Sequence, residues 1–461
     1  MSGTITETMS RWAADLQFED IGERAVAEAR RYLLDSLGCA LGGLQQEDAH
    51  IALKVLTRTG GNGKATVIGT GKKTDPVTAS LANALMVRVM DYNDIYWQQD
   101  PSHPSDIIPA AMACGERASG TGKDLIVGIV LGHEFEMRLC EAAFPGIRER
   151  GWHHATLTAF VSPIVAGRML DMSWDKIQHA IGISASRHAT LGAVTAGKLT
   201  MMKNTVDPMA TQSGVLAALL AEEGYTGPEH VIDGKEGLVH CFGPEWKLNI
   251  LVDGLGDSWR IERCGMKAFP TEALTHTPIS AVLDLVIDND LAPDDIDTVT
   301  IHSLARAADI LADPSKYDPR SKETADHSLP YVIAAAIVDR QVTPAQFTQE
   351  RILAEDIRAQ LNKVKVVADE EIEKVFPALQ RVVVKILTTD GREFTKTLDY
   401  PKGDPRNPLT DREIEDKFDA LASPVMSMEA RTQLKDAVWS LEDISSISDL
   451  MDLCKADTWG K

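Results

Sequence analysis

Aromatic side chains, paired cysteines, long apolar runs and basic charge are all scarce in this 461-residue chain. Its six cysteines, Cys39, Cys114, Cys140, Cys241, Cys264 and Cys454, are scattered with no CxxC pair. That argues against a disulfide framework and a thiolate zinc site, and it fits a reducing cytoplasm. No apolar run reaches the roughly 18 residues of a membrane span, and the opening "MSGTITETMSRWAADLQF" lacks a basic segment followed by an apolar one. Neither membrane insertion nor export is expected. With 47 Lys and Arg against 68 Asp and Glu, the net charge is −21. Nucleic acid and anionic lipid are therefore poor partners, and an anionic substrate would need a locally basic pocket. GxGxxG opening a βαβ unit, GxxxxGK[ST], GxSxG and HExxH are absent, which removes support for dinucleotide, P-loop, serine-hydrolase and HExxH-type metal chemistry. Adjacent His153 and His154 would point apart on a helix or a strand, so no metal site is expected there.

What is present is an ordinary globular composition, 44% hydrophobic and 25% charged, long enough for two domains or for one with an insertion. The first half reads as successive helices. Ile21, Ala25, Val26, Ala29, Leu33 and Leu37 recur at helical spacing up to Gly42 and Gly43. Asp75 and Pro76 read as N-cap and first helical residue of the next run, and Asp207-Pro208 opens a helix ending near Gly224. After about residue 265 the pattern changes: "IDTVTIHSLA" alternates as a strand, and "RVVVKILTTDGREFTKTLDY" reads as a hairpin turning at Asp390-Gly391. Helical periodicity returns after "YPKGDPRNP", where Thr410 and Glu413 form a capping-box pattern. The expected architecture is mainly α: a helical domain from 1–265 and 404–461, with a smaller α+β unit, 266–403, inserted in it.

Against the general scarcity of aromatics, "MDYNDIYWQQDPSHPSD" gathers Tyr92, Tyr96 and Trp97 with Asp91, Asp94, Asp100, His103 and Asp106. Asn, Asp, Ser and Pro are ordinary turn residues, so a polar loop between helices is one reading. A pocket wall carrying a histidine that titrates near neutrality is the other. Further candidates are His153 and His154 in "GWHHATLTAF", Lys203 before a helix start, Lys267 and His276 in "CGMKAFPTEALTHTP", and His327 and Tyr331 at the head of an apolar helix. Singly, each is more often a solvated lysine or a hydrogen-bonded core histidine than a catalyst. Together they suit carboxylate binding and proton movement, because deprotonation next to a carboxylate needs a placed base and cations for the developing charge.

The stretch "MDYNDIYWQQDPSHPSDIIPAAMA" resembles the signature of the MmgE/PrpD family, with supporting blocks "RYLLDSLGCALGG", "GWHHATLTAFVSPIVAGRML", "MMKNTVDPMATQSGVLAALLAEEGYTGP", "KAFPTEALTHTPISAVLDL" and "DHSLPYVIAAAIVDRQVTPAQF" in order along the chain. The family includes 2-methylcitrate dehydratase, cis-aconitate decarboxylase and iminodisuccinate epimerase. The resemblance implies a large helical domain built from both chain ends, a smaller α+β lid, a cytoplasmic homodimer and a cofactor-free, metal-free site between the domains. It places Asp91, His103, Tyr331 and one of His153 and His154, with a lean to His154, among the catalytic residues, and Lys203, Lys267 and His276 among those holding carboxylates. In place of the Arg-rich run that precedes the lysine in propionate-pathway dehydratases, this chain has "AGKLTMMKN". The expected activity is a lyase dehydrating 2-methylcitrate or a related polycarboxylate. A cis-aconitate-type decarboxylase or an imino or amino diacid epimerase is the alternative among enzymes, and a non-catalytic helical scaffold the alternative outside them.

Overall fold

The computed structural model describes residues 3–98, 100–196, 199–243 and 245–458. The chain divides into two units. One comprises Met1–Gly197, Met201–Cys264 and Thr410–Lys461; the other comprises Lys198–Thr200 and Gly265–Leu409.

The first unit is helical. Its framework is α1 (Glu23–Gly43), α2 (Pro76–Arg88), α3 (Ile108–Ala118), α4 (Gly122–Ala142), α5 (Ala155–Met169), α6 (Trp174–Ala185) and α7 (Val206–Glu222). Asp75 caps α2 by accepting the Thr78 amide at 2.9 Å, with Pro76 next, as its turn chemistry requires. Helix α5 packs against α6 and α7, and α2 packs against α1 and α7. Helix α5 is buried along almost its whole length. Close approach is built in at Gly43, where a Cβ would stand 2.0 Å from the Met86 carbonyl oxygen, so only glycine lets α1 and α2 meet there. From the far end of the chain, α8 (Asp411–Ala422) returns to α1. Its N-terminus carries the expected capping box, Thr410 with Glu413. Its Lys417, buried, pairs with Asp35 of α1 at 2.6 Å and donates to the Tyr92 carbonyl at 2.7 Å. Helix α8 thereby fixes the segment that follows α2.

That segment is more than a polar loop. Asp94–Trp97 (β1) and Pro101–Ser102 (β2) pair antiparallel, Tyr96 opposite Ser102 and Trp97 opposite Pro101. Its aromatic rings have partners in the body of the unit: Lys417 lies 3.9 Å from the Tyr92 ring centre, Tyr96 donates to Glu141 at 2.6 Å, and the Arg148 guanidinium sits 5.7 Å from the Trp97 ring. They staple the segment in place.

The second unit carries a four-stranded sheet. Ile296–Ser303 (β3) lies parallel to Val364–Ala368 (β4) on one side and antiparallel to Val382–Thr388 (β5) on the other, with Glu393–Leu398 (β6) at the edge. The β5–β6 hairpin turns where Gly391 adopts φ +88°, a left-handed conformation glycine takes without strain. Helix His276–Asp288 packs on β5 and β6, and helix Leu329–Asp339 packs on His276–Asp288. The unit ends six residues later than the sequence pattern suggests, because the Gly403 carbonyl accepts the Met266 amide at 2.9 Å and holds 401–409 to it. At Gly403, φ +93°, a Cβ would meet that neighbour at 1.9 Å. Among the described residues no helix is long and apolar enough to cross a membrane.

Candidate active site

The first unit gathers ionisable side chains of both signs in its interior. Arg88, at the end of α2, is buried and surrounded by three buried aspartates. It hydrogen-bonds Asp91, and its Nε lies 3.5 Å from Asp106 Oδ2 and 3.9 Å from Asp207 Oδ2. Asp91 sits just beyond α2 with φ +52°, a left-handed conformation that Asp tolerates better than most residues but not without cost. Its other oxygen accepts Lys203 Nζ at 2.6 Å. The carboxylate is thus held between guanidinium and ammonium.

His103 precedes a single 3₁₀ turn, Pro104–Ile107, that leads into α3. Its Nδ1 lies 2.6 Å from the Asp94 carbonyl oxygen. A carbonyl only accepts, so Nδ1 carries the proton and the lone pair of the neutral ring is on Nε2. Asp94 itself is occupied: its carboxylate takes the Ser105 amide at 2.9 Å and the Ser105 hydroxyl at 2.6 Å, with His133 Nε2 at 3.4 Å and Cys264 Sγ at 3.7 Å. This buried cluster fixes the turn that presents His103.

The two adjacent histidines do not point apart. They lie in the turn before α5 rather than on a helix or strand, and their rings stand 3.9 Å apart, the His154 ring 5.4 Å from that of His103. His153 Nδ1 accepts the Ala155 amide at 3.2 Å, and burial together with neighbouring His154 holds its pKa well below the ordinary value, so it is neutral. His154 Nε2 instead faces Asp207 Oδ1 at 3.4 Å. His153, His154 and Asp207 thus bring three potential ligand atoms within 4.8 Å of one another, a convergence that adjacency in sequence did not suggest.

The acids divide. Burial works to raise Asp207, but His154, His153 and Arg88 more than offset it and leave its pKa depressed. Asp106 is pushed well up by burial, only partly opposed by Arg88. Two carboxylates beside one guanidinium are therefore pushed in opposite directions, a separation that suits one to ion pairing and the other to holding a proton. Glu136 on α4 is a second buried acid: burial raises it to about 8, against hydrogen bonds from Ser102 at 2.5 Å and Thr158 at 2.9 Å. Ser102 is the residue before His103.

Of the residues expected from sequence, Asp91, His103, His153, His154 and Lys203 lie together in the first unit. Lys267, His276 and Tyr331 lie in the second. There Lys267 Nζ donates to the Thr271 carbonyl at 2.9 Å, and His276 Nε2 is 3.3 Å from the same oxygen, Phe269 edge-on to its ring. Tyr331 is fully buried, packs on Phe347 and donates its hydroxyl to the Gln346 carbonyl. The sequence reading did not single out Arg88, Asp207 or Glu136. A signal existed for two of them: Arg88 and Asp207 are each the one charge in a largely apolar helical run, "LANALMVRVM" and "VDPMATQSGVLAALL".

Fold and site together define a mainly helical protein with an interior cluster of histidines, carboxylates and a lysine. The MmgE/PrpD N-terminal domain matches residues 7–251 and the MmgE/PrpD C-terminal domain residues 269–443, and the chain belongs to that family. It is 26% identical to a cis-aconitate decarboxylase-like protein of Aspergillus oryzae, over 99% of this chain and 98% of the relative. Cis-aconitate decarboxylase of Homo sapiens is 27% identical over 99% of this chain and 95% of its own. The 2-methylcitrate dehydratase of Salmonella typhi is 25% identical over 85% of this chain and 84% of its own.

Proposed function

We propose that the protein is a lyase acting by acid/base catalysis, without a cofactor, on a small polycarboxylate. The observation that carries this is His103, whose Nδ1–H is committed to a backbone carbonyl so that Nε2 is the basic nitrogen, set beside His154 and its Asp207. His103 exchanges the proton at carbon, and His154 with Asp207 serves the departing group or returns the proton. Lys203, held in place by Asp91, donates to a substrate carboxylate, and Lys267 and His276 serve a second carboxylate, charge-assisted contacts suited to a polyanion.

Two reactions use this set. In dehydration of 2-methylcitrate or a relative, a base removes a proton next to a carboxylate while an acid protonates the leaving hydroxyl. In decarboxylation of a cis-aconitate-type acid, loss of CO₂ leaves an allylic carbanion that an acid must protonate. The second is favoured by the relatives called cis-aconitate decarboxylases, which span 97–99% of this chain, where the dehydratases span 82–85%. Purified protein incubated with a panel of citrate-like and aconitate-like acids, with and without chelator, decides by product mass. Loss of 18 Da marks dehydration and loss of 44 Da decarboxylation, and unchanged masses throughout would leave the epimerase and scaffold readings.

A further inference from the structure

The first unit's interior holds more buried charge than the residues named for the chemistry. Arg88 is 2% exposed, so it is not an ordinary surface cation. Each carboxylate around it has a second commitment. Asp91 also takes the Lys203 ammonium, Asp207 also faces His154, and Asp106 also takes the Asn93 amide at 3.0 Å. Lys203 and His154 enter from different parts of the chain, Lys203 from a 3₁₀ turn before α7 and His154 from the turn before α5. Among the described residues no direct contact joins them, while Arg88 bonds Asp91, the partner of Lys203, and faces Asp207, the partner of His154, at 3.9 Å.

We propose that Arg88 is a positioning residue that couples the two halves of the site: by holding Asp91 and Asp207 on one guanidinium, it sets Lys203 and His154 in register with each other. The planar group matters, because it bonds Asp91 through Nη1 while its Nε stands 3.9 Å from Asp207 Oδ2, whereas a lysine ammonium acts from a single point. Asp91 contributes the strained element. Its left-handed backbone would relax without a side chain tied to Arg88 and Lys203, so the ion pairs and the backbone conformation hold each other. The unpartnered polar atoms of the interior concentrate here too: Arg88 Nε, Asp106 Oδ2, both Asp207 carboxylate oxygens, and His154 Nδ1 and Nε2 are buried without a protein hydrogen bond. Such atoms gain or lose strongly with small displacements, which makes the node sensitive to where Arg88 stands.

The catalytic half of this inference rests on the acid/base reading above; the structural half does not, and the test separates them. Asp91→Asn removes one charge and keeps a side chain that tolerates the left-handed backbone. Histidine ring ¹⁵N spectra, recorded without substrate and assigned with His154→Gln, report on a group that Asp91 does not bond. Facing His154 are Asp207, His153, His103 and Asp100. The expected result is displaced His154 ring signals in Asp91→Asn, and no further displacement when Asp91→Asn is added to Arg88→Lys, since the connection is then already broken. On whichever acid the product screen identifies, Arg88→Lys should lower kcat about 100-fold with KM changed far less, as a small misplacement of reacting groups does. Unmoved His154 signals in a folded Asp91→Asn protein would overturn the coupling. If Arg88→Lys does not fold, Asp91→Asn and Asp207→Asn alone decide: the coupling requires Asp207→Asn to displace Lys203 side-chain signals, and unmoved signals overturn it.

Discussion

His103 owes its place to two short-range facts. The residue after it is proline, which starts the 3₁₀ turn, and its Nδ1 proton is tied to the Asp94 carbonyl. On the acid/base reading, replacing it by alanine should lower kcat by roughly 100-fold or more while leaving the fold intact, because that reading gives the ring the proton transfer. A folded variant with near-wild-type turnover would remove His103 from the mechanism. Glu136 behaves in the opposite sense, as a cost to stability. Its folded pKa of about 8 stands above the ordinary 4.5, chiefly through burial, so between those values the folded state keeps a proton that the unfolded state has released. The folded form binds more protons there, and stability contributed at this site falls as pH rises from about 4.5 to about 8, with no further change above. Glu136→Gln should flatten that decline in urea midpoints measured from pH 5 to 8. An unchanged slope would show that other buried acids, Asp106 first among them, carry it.

At the scale of elements, the site depends on how closely helices approach. Gly43 is the tightest such point: an added methyl would meet the Met86 carbonyl, which is backbone and has no rotamer to give. Gly43→Ala should cost roughly 1–3 kcal/mol in stability by overpacking. Since the displaced helix carries Arg88, turnover should fall with it; wild-type stability in urea would show that α1 and α2 can separate freely. Elements of this kind differ in how far they could be read from sequence. The cap at Asp75, the capping box at Thr410 and the Asp390-Gly391 hairpin were legible because each is decided within four residues of chain. So was the unusual composition of the stretch containing Asp91 and His103, which departs from the rest. The β1–β2 pairing within it was not, since four-residue and two-residue strands leave no alternation to detect. Nor was the stacking of His153 on His154, which depends on their lying in a turn. Arg88, Asp207 and Glu136 stayed hidden for a further reason: their partners lie from a few to more than a hundred residues away, and only tertiary packing shows that a charge on an apolar helix is buried rather than protruding.

The whole molecule carries a net charge of −21, which repels a polyanionic substrate at long range. Binding must therefore rely on cations whose contacts are strengthened by burial. Lys203 already faces a carboxylate, Asp91, so its net attraction for an anion is shared. Lys267, 2% exposed, donates to the Thr271 carbonyl at 2.9 Å. On the polycarboxylate reading it serves a second carboxylate, so Lys267→Met, which keeps the apolar stem and deletes the charge, should raise KM for a tricarboxylate by about 10-fold with kcat little changed. The penalty should shrink for an analogue lacking the carboxylate that Lys267 would hold, because the lost partner then has nothing to meet. The comparison needs only steady-state kinetics of two proteins on two acids. Equal losses on both would place the lysine in the chemical step, and no loss on either would make its role one of fixing the Thr271 turn alone.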